Sequence, residues 1–174
     1  LGLGQDWKYE RQGLVSLKRI VEALRGLQLP AKDLLSFQRW VMFNYLIGNS
    51  DAHAKNISVL IDETGYALAP FYDLLCVQVY GDDRLALYIG DEDQYASIGA
   101  HSWEAFCEDC GFSVKSTMTL FRKMAQDVAK AWATVTAQAT VDFARSRPEL
   151  GLIQSITMVI ETNCSAALSM TTKR

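Results

Sequence analysis

The sequence predicts a mainly α fold with one small β-hairpin. Three observations predict it. Long stretches space apolar residues in steps of three and four, the period of a helix with one buried face. Two short apolar runs flank the turn signal Asp62-Glu63-Thr64-Gly65, the pattern of a hairpin. Of 174 residues, 49% are apolar and 21% charged, so a packed core is expected and wholesale disorder is excluded.

The elements follow in order. Leu14, Leu17, Ile20, Val21, Leu24 and Leu27 form a helical stripe over 14–27, with polar Ser16, Lys18, Arg19 and Glu22 between them. Leu29-Pro30 ends it, because proline cannot continue a helix. A second helix is expected from about Asp33 to Ile47. Leu34, Leu35, Phe37, Trp40, Val41, Phe43, Tyr45 and Leu46 leave it little polar surface, which marks a buried central helix. Gly48 closes it. Residues 48–56 then form a short polar loop held by a buried helix, a support that suits catalysis. Ile57 to Ile61 reads as a strand and Tyr66 to Ala69 as its return, with Pro70 as the stop.

Farther on, Leu85 to Ile89 is a short strand or extended segment. Ser102 to Cys110 reads as a short helix with Ser102 as N-cap. Val114, Met118, Phe121, Ala125, Val128, Trp132 and Val135 mark a long helix. About three heptads without patterned flanking charges make a core-facing stripe rather than a coiled coil. A last helix covers Leu150 to Leu168.

Charge and cysteine usage narrow the function. Lys plus Arg number 17 against 20 Asp plus Glu, a net charge of −3. No basic field favours nucleic acid or an anionic membrane. No apolar run approaches the ~20 residues of a membrane span. Four cysteines make no disulfide scaffold and suit a reducing compartment, so a cytoplasmic location is expected. Cys107-Glu108-Asp109-Cys110, six residues after His101, lacks a second C-x-x-C and reads as structural thiols. Asp82-Asp83 and Asp91-Glu92-Asp93 read as solvated loops. With two histidines in all, one of them in the polar loop, no Ser-His-Asp or Cys-His arrangement is argued.

The dense polar signal is Gly48-Asn49-Ser50-Asp51-Ala52-His53-Ala54-Lys55-Asn56, followed by the hairpin and Pro70-Phe71-Tyr72-Asp73. Phosphoryl transfer needs a carboxylate to orient and deprotonate an attacking hydroxyl, and Mg²⁺ needs few protein oxygens besides phosphate and water. Asp51 suits the base; the Asn56 amide oxygen and the Asp73 carboxylate suit the metal. A turn centred between Glu63 and Thr64 sets Asn56 opposite Phe71, and Asp73 diagonal to Asn56 on one face. Diagonal neighbours lie ~7–8 Å apart, close enough to share one ion. In the protein-kinase motif H-R-D-x-x-x-x-N the Asp and Asn are likewise five apart. Asp51 is alternatively a loop-capping residue. His53 either donates to the transferred phosphate or braces the loop. Lys55 reads as phosphate-facing through its backbone and solvated through its ammonium.

Gly-Asn-Ser-Asp-Ala-His-Ala-Lys-Asn and Leu-Ala-Pro-Phe-Tyr-Asp-Leu-Leu resemble the catalytic loop and metal-binding segment of the HipA family, bacterial serine/threonine protein kinases that act as toxins of toxin–antitoxin pairs. Lys8-Tyr9-Glu10 and the element order resemble that family too. The likeness extends over essentially the whole chain and is strongest over 42–75. It implies a protein-kinase-like C-terminal lobe with Asp51 as base, Mg²⁺ on Asn56 and Asp73, and ATP phosphates lined by His53, Ala54, Lys55, Asn56, Tyr72 and Asp73. It also implies a helix-turn-helix antitoxin as partner, an aminoacyl-tRNA synthetase as the type of target, and contact with nucleic acid only through the antitoxin.

The sequence departs from a whole kinase. It has no G-x-G-x-x-G and no G-x-x-x-x-G-K; Gly2 and Gly4 lack the third glycine and a preceding strand. The chain opens Leu1-Gly2-Leu3-Gly4, without Met and without a signal-peptide pattern. The expectation is a single C-terminal kinase lobe over 1–174, lacking its N-terminal lobe and inactive alone, with 48–73 as catalytic loop, hairpin and metal-binding segment. Two other readings stand beside it. One is a non-catalytic antitoxin-docking or scaffold module. The other is a phosphoinositide-kinase-like phosphotransferase, which Asp-x-His-x-x-Asn also resembles, although no lipid-presenting basic patch is evident.

Overall fold

The computed structural model describes residues 9–13, 15–63, 65–143 and 146–171. Helices α1 (Leu17–Gly26) and α2 (Ala31–Ile47) come first, then the hairpin β1 (Val59–Asp62) and β2 (Gly65–Leu68). A second hairpin follows, β3 (Arg84–Ile89) and β4 (Glu92–Gln94), and then α3 (Ala100–Cys110), α4 (Val114–Asp142) and α5 (Arg147–Ser169). The expected mainly α fold is present. Leu14, Thr64, Lys8, Gly2 and Gly4 lie outside the described residues.

Helix α1 buries Leu17, Ile20, Val21 and Leu24, the expected stripe, while Leu27 emerges beyond its end. Ser16 caps it, its hydroxyl accepting from Arg19 N–H. Pro30, expected as a stop, also serves as N-cap of α2, where its fixed φ suits a helix entry.

Helix α2 is the central element. Phe37, Met42, Tyr45 and Leu46 are at most 2% exposed, each burial worth roughly 1.5–3 kcal/mol. Tyr45 stacks on Tyr95 and meets Trp103 and Phe121 edge-on, tying α2 to α3 and α4. The helix is buried less completely than expected: Leu35 is exposed and Phe43 is half-buried, while the polar Gln38 is buried and donates to Thr117 Oγ1 on α4.

The first hairpin has the expected register, Val59 against Leu68 through Asp62 against Gly65, with strands shifted by one or two residues. The second hairpin was legible only in its first strand. Its acidic residues are not merely solvated: Arg84 grips Asp93 through Nε and Nη2, and Asp83 accepts from Gln78 Nε2.

Helix α3 starts two residues before the expected Ser102 cap. Gly99 is the N-cap, and Ser102, one turn in, accepts the Gly99 N–H through its hydroxyl. Along α4, Met118, Phe121 and Ala125 are buried, but Val135 is exposed because the helix outruns the core. All four cysteines are free thiols; burial raises Cys107 and pushes Cys110 up to about 12, values that suit packing rather than redox chemistry. No group of three His, Cys, Asp or Glu among the described residues could hold a metal ion.

Candidate active site

The loop after α2 is held on every side. Gly48 ends α2 at φ +73, in the left-handed region that glycine adopts at no steric cost. A Cβ there would sit 2.5 Å from Val159 Cγ1 on α5, so the position also needs glycine's missing atom. Buried Asn49 donates to Asn44 Oδ1 at 2.7 Å and to the Asp73 carbonyl at 2.9 Å. The Ser50 carbonyl accepts from Ala86 N–H on β3 and the Gly48 carbonyl from Gln78 N–H. Asn163 of α5 donates to the Tyr45 carbonyl and to Gln78 Oε1. An irregular loop with its backbone fastened this way is rigid without being regular.

The sequence-predicted residues come together on this frame. Asn56 Nδ2 donates to Asp73 Oδ2 at 2.7 Å, and Asn56 Oδ1 accepts the His53 N–H at 2.9 Å. Residues Ala54–Asn56 form one 3₁₀ turn capped by His53. The His53 ring lies 4.0 Å from Asp51 Oδ2, linking the expected base to the expected metal ligands. His53 and Asn56 are buried, Asp51 is half-exposed and Asp73 is exposed.

Two details differ from expectation. The ladder does not extend to Asn56 and Phe71; its last backbone bond is Ala69 N–H to the Ser58 carbonyl. Beyond it the Tyr72 hydroxyl donates to the Lys55 carbonyl at 2.7 Å, so a side chain closes what the ladder leaves open. Lys55 itself is exposed. Second, the Asn56 amide turns its nitrogen, not its oxygen, toward Asp73. With a carboxylate as neighbour, the donor end is the end that binds it.

The donor set fits a hard cation. Carboxylate and amide oxygens are the ligands Mg²⁺ prefers; Asp73 presents its own, while the Asn56 oxygen here accepts the His53 N–H. Asp73 Oδ1 has no hydrogen-bond partner among the described residues. Asp73 also holds φ +59, an uncommon value for a residue other than glycine, maintained by the bonds from Asn49 and Asn56.

The residue that sequence reasoning left without a role is Tyr9, whose hydroxyl donates to Asp51 Oδ1 at 2.9 Å. The two are 42 positions apart, and no periodicity links them.

A family model described as the HipA-like C-terminal domain matches residues 1–132. The chain belongs to that family. Its relatives include the Sinorhizobium fredii protein named as kinase Y4mE, 33% identical over 151 residues, covering 83% of this chain and 36% of that protein. The serine/threonine-protein kinase toxin HipA of Shewanella oneidensis is 33% identical over 136 residues, covering 77% of this chain and 31% of the toxin. The chain thus spans about a third of the length of the curated relatives it matches. A solved structure of the Shewanella oneidensis HipA, HipB and operator DNA complex superposes with a TM-score of 0.75 at 24% identity, over 94% of this chain and 38% of that one. That likeness shows the HipA fold. Among the described residues no helix is long and apolar enough to cross a membrane.

Proposed function

We propose that the chain is the catalytic C-terminal lobe of an ATP-dependent serine/threonine protein kinase, the toxin of a toxin–antitoxin pair. The observation that carries this is the joined set Asp51–His53–Asn56–Asp73, in a chain of the HipA-like family with a relative named a serine/threonine kinase toxin. Asp51 accepts the proton of a protein hydroxyl and orients it for attack. Asn56 and Asp73 would hold Mg²⁺, which when bound neutralises charge on the ATP phosphates. His53 braces the turn through its backbone and flanks Asp51 with its ring. The Ala54–Asn56 turn and the Tyr72–Asp73 segment face the phosphates. For the metal, the Asn56 amide must turn over and give up the His53 N–H.

The chain works as part of a longer polypeptide. Its coverage of a third of its relatives supports this, as does the lack of a glycine-rich phosphate loop. A helix-turn-helix antitoxin is the proposed partner, supported by the fold's likeness to a protein seen with HipB and DNA. The family resemblance makes an aminoacyl-tRNA synthetase the class of target to try first.

The test is transfer of radiolabel from ATP by the full-length protein, with phosphoamino-acid analysis of the product. Label on protein serine or threonine, strongly reduced in Asp51→Asn and, at limiting Mg²⁺, in Asp73→Asn, is expected. Transfer surviving both changes contradicts the mechanism. Label on phosphoinositide instead changes the acceptor class, and no transfer at all by the unmutated protein favours the scaffold.

A further inference from the structure

We infer that Tyr9 is a positioning residue for the Asp51 carboxylate, fixing which of its oxygens meets the acceptor hydroxyl. This rests on Asp51 being the base. The Asp51 side chain is 40% exposed, and a short carboxylate on a half-open loop samples several rotamers in water unless something holds it. The Tyr9 hydroxyl is one group that holds it. It donates to Oδ1 at 2.9 Å, a charge-assisted bond in which the ionised carboxylate only accepts. Oδ2 is then the oxygen turned toward His53 Nε2, 4.0 Å away. The Tyr9 ring also meets the His53 ring edge-on, with centroids 5.9 Å apart, so one side chain touches both Asp51 and His53.

Tyr9 is itself anchored. Its N–H donates to Gln12 Oε1 at 3.0 Å, and the Arg11 guanidinium lies 4.2 Å over its ring. The adjacent Glu10 carboxylate accepts the Tyr88 N–H on β3 at 2.7 Å. The segment before α1 is thereby fastened to the strand that also holds the Ser50 carbonyl through Ala86. Base and orienting hydroxyl share one support, as a preorganised site requires.

The experiment is Tyr9→Phe in the full-length protein, which keeps the ring and removes only the donor. The expected result is a fall in kcat for phosphoryl transfer of about tenfold, with KM for ATP within about twofold of the parent and an unchanged melting temperature. In an Asp51→Asn background the same change costs nothing further, because the hydroxyl acts through the carboxylate. An unchanged kcat overturns the inference. So does a rise in kcat, which would mean the hydroxyl occupies the acceptor's place, or a full tenfold loss on top of Asp51→Asn. An active Asp51→Asn overturns the base itself. An inactive Asp51→Asn beside an unaffected Tyr9→Phe overturns this inference alone.

Discussion

Asn56 and Asp73, 17 residues apart, are joined by a 2.7 Å bond in which the amide nitrogen faces the carboxylate. A shared cation would require the opposite end of that amide. The site as it stands is organised by an amide donor facing the carboxylate, where the proposed cation would sit.

Replacing that donor with a second acceptor gives the first prediction. Asn56→Asp sets two carboxylates against each other and removes the link to Asp73. Stability falls by about 1–3 kcal/mol at neutral pH, and millimolar Mg²⁺ restores more of it than in the parent chain. Thermal denaturation with and without MgCl₂ checks both parts.

Asn49 bridges Asn44 to the Asp73 backbone from a buried position. Asn49→Ala leaves two acceptors without their donor and costs about 1–3 kcal/mol. Urea denaturation measures the loss; a change within 0.5 kcal/mol, the ordinary range for a surface site, would remove Asn49 from the frame.

At Gly48 two penalties add. A Cβ is strained at φ +73 by about 1–2 kcal/mol and overpacks against Val159 by about 1–3 kcal/mol. Gly48→Ala therefore destabilises by about 2–5 kcal/mol, the sum of those terms. Adding Val159→Ala recovers the share of the steric cost that Val159 causes and not the backbone part, which a double-mutant cycle of denaturation midpoints separates.

How much of this was legible depends on range. The helical stripes of α1 and α4 and the Gly48 stop repeat locally, and so could be read from neighbouring residues. The register of β1 with β2 followed from one turn. Asn56 and Asp73 met because that register brought them within reach, but the amide's orientation depends on charge at the site, which no spacing encodes. Ser102 is a good cap residue by type, yet it sits inside α3, because a hydroxyl one turn in can serve the Gly99 N–H equally well. Strand β4 is three residues long and held by the Arg84–Asp93 pair, too short for an alternating pattern. Tyr9 reaches Asp51 through tertiary structure alone.

Glu10 predicts a pH effect. Desolvation raises its pKa from 4.5 to about 7, partly opposed by the Tyr88 N–H, with Asp109 and Asp91 adding to the rise. The folded state then holds the proton more tightly than the unfolded chain. The stabilisation is complete below about pH 4.5 and is lost as pH rises to about 7. Glu10 is half-buried, and solvent screening limits the effect to about 1–2 kcal/mol. Glu10→Gln, which keeps an acceptor for Tyr88, should match the parent in acid and exceed it in stability above neutrality. Urea midpoints across that range check it; parallel curves for the two proteins would contradict it.

The central claim is that Asp51 works on the acceptor and Asp73 on the metal. Phosphoryl transfer by full-length Asp51→Asn and Asp73→Asn, each followed through a Mg²⁺ titration, tests it most directly. The predicted result is a loss of about 10²–10⁴ in kcat for Asp51→Asn with the Mg²⁺ half-saturation unchanged, and a half-saturation raised at least about tenfold for Asp73→Asn. Parent-like kcat in Asp51→Asn, or a Mg²⁺ curve that Asp73→Asn does not move, would contradict it.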